Sequence, residues 1–122
     1  MATITTYTKV GAHDTITIVS GAALLGDTVT LTDLPVQGNT HVFLGVILLN
    51  AGGAEIVDSA GTLTVSAKMV NTSEWETPQL NVIDATAPTT VNWSGNTRAI
   101  RVVPASLSDT VTYKVVATFN RS

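Results

Sequence analysis

Residues 110–119 read TVTYKVVATF, and how that stretch is read decides the fold. Val111, Tyr113, Val115, Ala117 and Phe119 fall on one side of a two-residue period. Thr110, Thr112, Lys114, Val116 and Thr118 fall on the other. Successive side chains of an extended chain point to opposite faces, so the stretch predicts a β-strand with an apolar face and a hydroxyl-rich one. Residues 61–70, GTLTVSAKMV, repeat the pattern: Leu63, Val65, Ala67 and Met69 alternate with Thr62, Thr64, Ser66 and Lys68. A helix would place apolar residues three and four apart, and no long window does so. The single helical turn expected is SGAALLG, Ser20 to Gly26.

Just before that strand stands Asp109-Thr110-Val111-Thr112. The same phrase, Asp-Thr-(Ile/Val)-Thr, begins at Asp14 and at Asp27. An Asp side chain can close a turn on nearby backbone, and the β-branched residues behind it favour extended structure. The phrase therefore reads as the start of a strand, with threonines facing outward and Ile or Val facing the core. Its spacings of 13 and then 82 positions exclude a regular solenoid, and with it a flat threonine ladder for binding ice.

Turn residues divide the chain into about nine strands, near 3–10, 14–19, 27–34, 41–50, 54–58, 61–70, 79–83, 89–93, 98–103 and 110–119, with one of the shorter ones expected to fail. Asn50 to Glu55 (NAGGAE) and Trp93 to Arg98 (WSGNTR) read as hairpin turns. Asp58 to Gly61 and Ser106 to Asp109 are weaker turns. Pro35, Pro78, Pro88 and Pro104 fall near strand ends or on edges. Many short strands at this spacing predict one all-β domain over 1–122: an antiparallel β-sandwich, jelly-roll or Greek-key, of about 8–10 strands. Residues 1–10 are either an edge strand of that domain or an arm that adds a strand to a partner.

Composition bounds the function. Charged residues make up 12% of the 122 positions, against about 25% in ordinary soluble domains, and threonine, with 21 copies, fills the gap. A hydroxyl-rich, charge-poor surface suits a permanent assembly or an extracellular setting. The chain has no cysteine, hence no disulfide or thiolate metal site. Net charge is −3 and the six basic residues are scattered, which argues against nucleic acid. The start, MATITTYTKV, lacks the basic and apolar regions of a secretory leader. The longest apolar run, VFLGVILL at 42–49, is far shorter than the ~20 residues that cross a bilayer. We expect a cytoplasmic product with no membrane partner.

No constellation points to catalysis or a cofactor. His13 and His41 are the only imidazoles, each at an expected strand start, and no Gly-x-Ser-x-Gly elbow accompanies them. Glu74 and Glu76 flank Trp75 but, two apart on one strand, cannot bracket a glycosidic bond. No Asp-x-Asp-x-Asp run suggests calcium. Asn71 and Asn92 match the glycosylation pattern, read as coincidence without an export signal. Trp75 and Trp93 are the candidate contacts for a glycan, although one tryptophan is expected in the core. In the apolar run, Val42, Leu44, Val46 and Leu48 form one face and Phe43, Ile47 and Leu49 the other. One of these faces is expected to be covered by another subunit.

The Thr/Val/Ala-rich strands, the cysteine-free length and the tail NTRAIRVVPASLSDTVTYKVVATFNRS (96–122) resemble small all-β structural proteins of bacteriophage virions. The resemblance implies a non-enzymatic virion protein, foremost a capsid decoration (cement) protein that stabilises the shell of major capsid protein. It implies assembly in the host cytoplasm and a homo-oligomer, with a trimer favoured. Candidate partner contacts are Thr3, Ile4, Thr5, Thr6 and Tyr7 in the N-terminal segment, with Phe43, Ile47 and Leu49 in the apolar run. The competing expectation is a carbohydrate-binding or adhesin module, including a head fibre or tail accessory protein.

Overall fold

The computed structural model describes residues 3–12, 15–32, 34, 40–69 and 76–121. The described strands are β1 (Thr3–Ile4), β2 (Tyr7–Ala12), β3 (Thr15–Ser20), β4 (Ala23–Leu24), β5 (Thr28–Leu31), β6 (Thr40–Leu49), β7 (Thr62–Met69), β8 (Glu76–Asp84), β9 (Val91–Gly95), β10 (Thr97–Ala105) and β11 (Thr112–Arg121). They form two packed sheets, in the orders β1-β5-β10-β7-β8 and β2-β3-β11-β6-β9, with β4 pairing β11 beside β3. The antiparallel pairs are nested: β3 with β11, β5 with β10, β6 with β9, β7 with β8. That nesting is the strand order of a jelly roll, the expected kind of sandwich. The exception to antiparallel pairing is β1, which runs parallel to β5.

The period-two segments become the sheets' inner faces. Ile16, Ile18, Val29, Leu31, Leu63, Val65, Ala67, Tyr113, Val115, Ala117 and Phe119 are all buried and pack into one core. In the apolar run it is the Val42, Leu44, Leu48 side that faces inward, with Val46 partly buried; Phe43, Ile47 and Leu49 face out. Tyr113 is fully buried, and its hydroxyl donates to the Asp27 carbonyl at 2.6 Å. Burial first, and then the Asp27 charge, push its phenol up to about 12.

Several sequence expectations are corrected. Residues 3–10 are two strands. β1 lies in one sheet and β2 in the other, and the Gly21 amide donates to the Thr6 carbonyl where the chain crosses. Residues 20–26 hold no helical turn. β4 pairs with Thr112 and Tyr113, and the turn behind it closes when the Leu24 amide donates to the Asp27 carboxylate at 3.0 Å. Residues 54–58 fail as a strand: a bridge joins Glu55 to Leu49, and the Ile56 amide donates to the Leu48 carbonyl. Trp93 to Arg98 is not a hairpin, because β9 and β10 belong to different sheets. Gly95, at φ 147°, instead lets the chain step from one layer to the other. Val111 is exposed rather than in the core, because the chain joins the sheet only at Thr112. The first Asp-Thr phrase begins at Asp14, outside the described residues.

Candidate interaction surface

The registers of the second sheet set its outward side chains in rows. One row runs Thr15, Asn120, His41, Ser94 across β3, β11, β6 and β9. The next runs Val10, Thr17, Thr118, Phe43, Asn92 and reaches β2. A third holds Thr8, Val19, Val116 and Gly45. Beyond it lie Lys114 with Ile47 and Leu24 with Thr112 and Leu49. Hydrogen bonds tie neighbouring strands within these rows: Thr15 Oγ1 donates to Asn120 Oδ1 at 3.1 Å, and the Thr17 and Thr118 hydroxyls are 3.1 Å apart. His41 Nδ1 lies 2.7 Å from Ser94 Oγ, and its ring tilts against Phe43 at 4.6 Å.

This face is short of charge. Among the described outward residues of its strands Lys114 alone is a charged side chain, while Val10 is 69% exposed, Leu24 58% and Phe43 39%. The opposite sheet differs, showing Lys68, Arg101 and Asp84 on its outer side. Asp27, Asp58 and Asp109 sit in turns and loops, while Glu55, bridged to Leu49, stands at the margin of the charge-poor face. Depletion of charge around exposed aliphatic and aromatic side chains is the composition of an interface centre.

The other candidate residues fall as follows. Thr3 and Ile4 pair with Thr28 and Val29, Thr5 and Thr6 link β1 to β2, and Tyr7 packs against the core. The N-terminal segment is thus an edge of its own sandwich. Trp93 is buried, and its indole N–H donates to Thr97 Oγ1 at 2.9 Å, so its ring is not offered to a sugar. Trp75, Glu74 and His13 lie outside the described residues. Phe43, Ile47 and Leu49 share the charge-poor face. Sequence reasoning missed its other members, Val10 and Leu24: Val10 sits in a loosely alternating segment, and Leu24 sat in the expected helical turn.

One buried cluster was also missed. Asp58 is 2% exposed, and its carboxylate accepts from the amides of Ala60, Ser108, Asp109 and Thr110 at 2.9–3.0 Å, and from the Thr110 hydroxyl at 2.6 Å. The Asp109 carboxylate in turn accepts from the Ser59 amide at 2.9 Å. Burial alone would raise the Asp58 pKa. The Thr110 hydroxyl and the amides outweigh it and hold the group well below the usual carboxylate range. Its accepting capacity is taken up by structural donors, so the cluster clamps two loops. Among the described residues no group of three His, Asp or Glu side chains is placed to hold a metal ion. No described helix is long and apolar enough to cross a membrane.

What fold and surface define is a jelly-roll domain with one charge-poor sheet face. The chain belongs to the family described as Domain of unknown function (DUF7265), whose profile matches residues 14–122. No curated protein matches its sequence. Among solved structures it is similar to peruvianin-I, a cysteine peptidase from Thevetia peruviana latex, at 14% identity and a TM-score of 0.40. The match covers 88% of this chain and 50% of the peptidase, so the chain spans about half that protein's length.

Proposed function

We propose that the protein is a non-enzymatic structural protein of a bacteriophage virion, a capsid decoration protein that binds and stabilises the shell of major capsid protein. The observation that carries this reading is the charge-poor outer face of the β2-β3-β11-β6-β9 sheet. A face this poor in charge suits burial against another subunit. The virion resemblance of the sequence supplies the setting. A rigid sandwich with hydrogen-bonded rows suits a static role, as does an Asp58 carboxylate committed to structural donors. In this reading the protein is a homo-oligomer, with a trimer favoured, assembled in the host cytoplasm. It contacts capsid subunits rather than nucleic acid or membrane and uses no cofactor.

The test is sedimentation with shells assembled from the major capsid protein of the same genome. The protein should pellet with shells at a saturating, fixed stoichiometry. Phe43→Glu should leave it in the supernatant while its circular dichroism stays unchanged. A protein that never pellets with shells, or a Phe43→Glu variant that binds as tightly as the parent, overturns the reading. The competing carbohydrate-binding reading has lost Trp93 as a contact, and a glycan array tests what remains.

A further inference from the structure

One outward side chain of the charge-poor face can change its charge under mild conditions. His41 is half-buried on the outer side of β6, between Asn120 of β11 and Ser94 of β9. Its Nδ1 lies 2.7 Å from Ser94 Oγ, and its ring tilts against Phe43 with centroids 4.6 Å apart. A hydroxyl donates or accepts, so Ser94 satisfies Nδ1 of the neutral ring in either tautomer. In the imidazolium both ring nitrogens donate, and Ser94 must then accept. β6 and β9 carry no other charged residue. On β11 the charged residues are Lys114 and Arg121, both basic. Lys114 sits opposite Ile47, six residues along from the His41 row, and Arg121 sits opposite Thr40, whose side chain is buried inward. These three strands therefore bring no carboxylate to the ring.

We propose that His41 makes docking of this face sensitive to pH: the face holds its partner subunit while the imidazole is neutral and releases it when the ring takes up a proton. The inference rests on the reading of the face as a docking surface and adds the regulation of that surface. Histidine is the side chain whose charge ordinarily changes between about pH 5 and 8. In the free protein the added charge keeps part of its water, and the Phe43 ring and the Ser94 oxygen lie beside it. In the docked state the same charge loses that water, and β6, β9 and β11 offer it no anion. Burying a charge without a partner is costly, which is why interface centres are depleted of charge. The docked state thus disfavours the protonated ring. Docking is strongest at neutral pH and above, and it weakens on acidification by up to about tenfold per pH unit for one proton per chain. The scarcity of other charges on the face is what lets a single proton matter.

The experiment pellets the full chain with shells of the major capsid protein at about pH 7.5 and about pH 5.5, at matched ionic strength. The lower value stays above the range in which Asp58 takes up a proton, and circular dichroism at both checks that the fold is intact. The parent should bind about tenfold more weakly at the lower pH. His41→Gln, neutral at both, should change by less than about twofold. His41→Arg, charged at both, should bind at the higher pH as weakly as the parent does at the lower one. Equal binding of the parent at the two pH values overturns the switch and leaves the docking reading standing. A His41→Gln variant that keeps the parent's loss on acidification also overturns it, since the titrating group then lies elsewhere, on His13 or on the shell. So does a glutamine variant as weak as the arginine variant at the higher pH, which would make the shape of the ring decisive and not its charge. A parent that pellets at neither pH overturns docking and switch together.

Discussion

Asp58 shows what one side chain can determine. Its carboxylate gathers the amides of Ser108, Asp109 and Thr110 and holds the loop before β11 against the loop before β7. Asp58→Asn removes the charge and replaces an acceptor with a donor facing buried N–H groups. The expected loss is about 3 kcal/mol in urea unfolding. The pH dependence follows from the lowered pKa. The stabilisation is complete above the unfolded value of 3.8 and is lost as pH falls through the lower folded value. The parent should therefore lose stability on acidification below about pH 4, and the asparagine variant should lose less over that range. Tyr113 works in the opposite direction. Its phenol, pushed up to about 12 from 10.0, favours the folded state below pH 10 and ceases to do so as pH rises toward 12. Tyr113→Phe should cost about 1–2 kcal/mol at neutral pH, by removing the bond to the Asp27 carbonyl, and should flatten that alkaline loss.

At the scale of elements, glycines and turns decide where strands stop. Gly61 sits at φ +102° before β7, and a Cβ there would lie 2.7 Å from the Leu107 side chain and 2.8 Å from backbone of Ser106 and Leu107. Gly61→Ala should destabilise the protein by at least about 2 kcal/mol in thermal or urea unfolding, since both the space and the backbone angle are wrong for a side chain. The strands themselves were legible. β7 and β11 alternate so regularly that period alone identifies them, and Leu63, Val65 and Ala67 of one and Tyr113, Val115, Ala117 and Phe119 of the other are buried. Where the sequence misled, local cues pointed two ways. Gly95 and Asn96 are good hairpin residues, yet they equally serve a step between sheets. Alternation cannot tell a strand's next partner. Ser20 to Gly26 looked helical because Ala and Leu are helix formers, but β11 offered Ala23 and Leu24 a backbone partner.

For the whole molecule, the distribution of charge matters more than its sum. A net charge of −3 describes the chain, but among the described outward residues of one sheet's strands Lys114 alone is charged, and Val10, Leu24 and Phe43 are exposed there. If that face is covered in an assembly, Phe43→Glu places a charge on it. Sedimentation velocity should show the parent as an oligomer at micromolar concentration and the variant shifted toward monomer. A parent that stays monomeric at every concentration would remove self-association from the proposed role. Phe43, Ile47 and Leu49 could be nominated from sequence because β6 is apolar on both sides of its pleat. Val10 and Leu24 could not, since their place beside β6 depends on β2 pairing β3 and on β4 pairing β11.

The sequence by itself determined the fold class and the inner faces of the long strands, because side-chain alternation is a local property of an extended chain. It also determined the shortage of charge, which is simple composition. Only the tertiary structure decided which face of β6 looks out, that residues 3–12 close their own sandwich, and that Asp58 binds a loop some fifty positions away. Those outcomes depend on pairings between distant segments, and no local pattern records which segments meet.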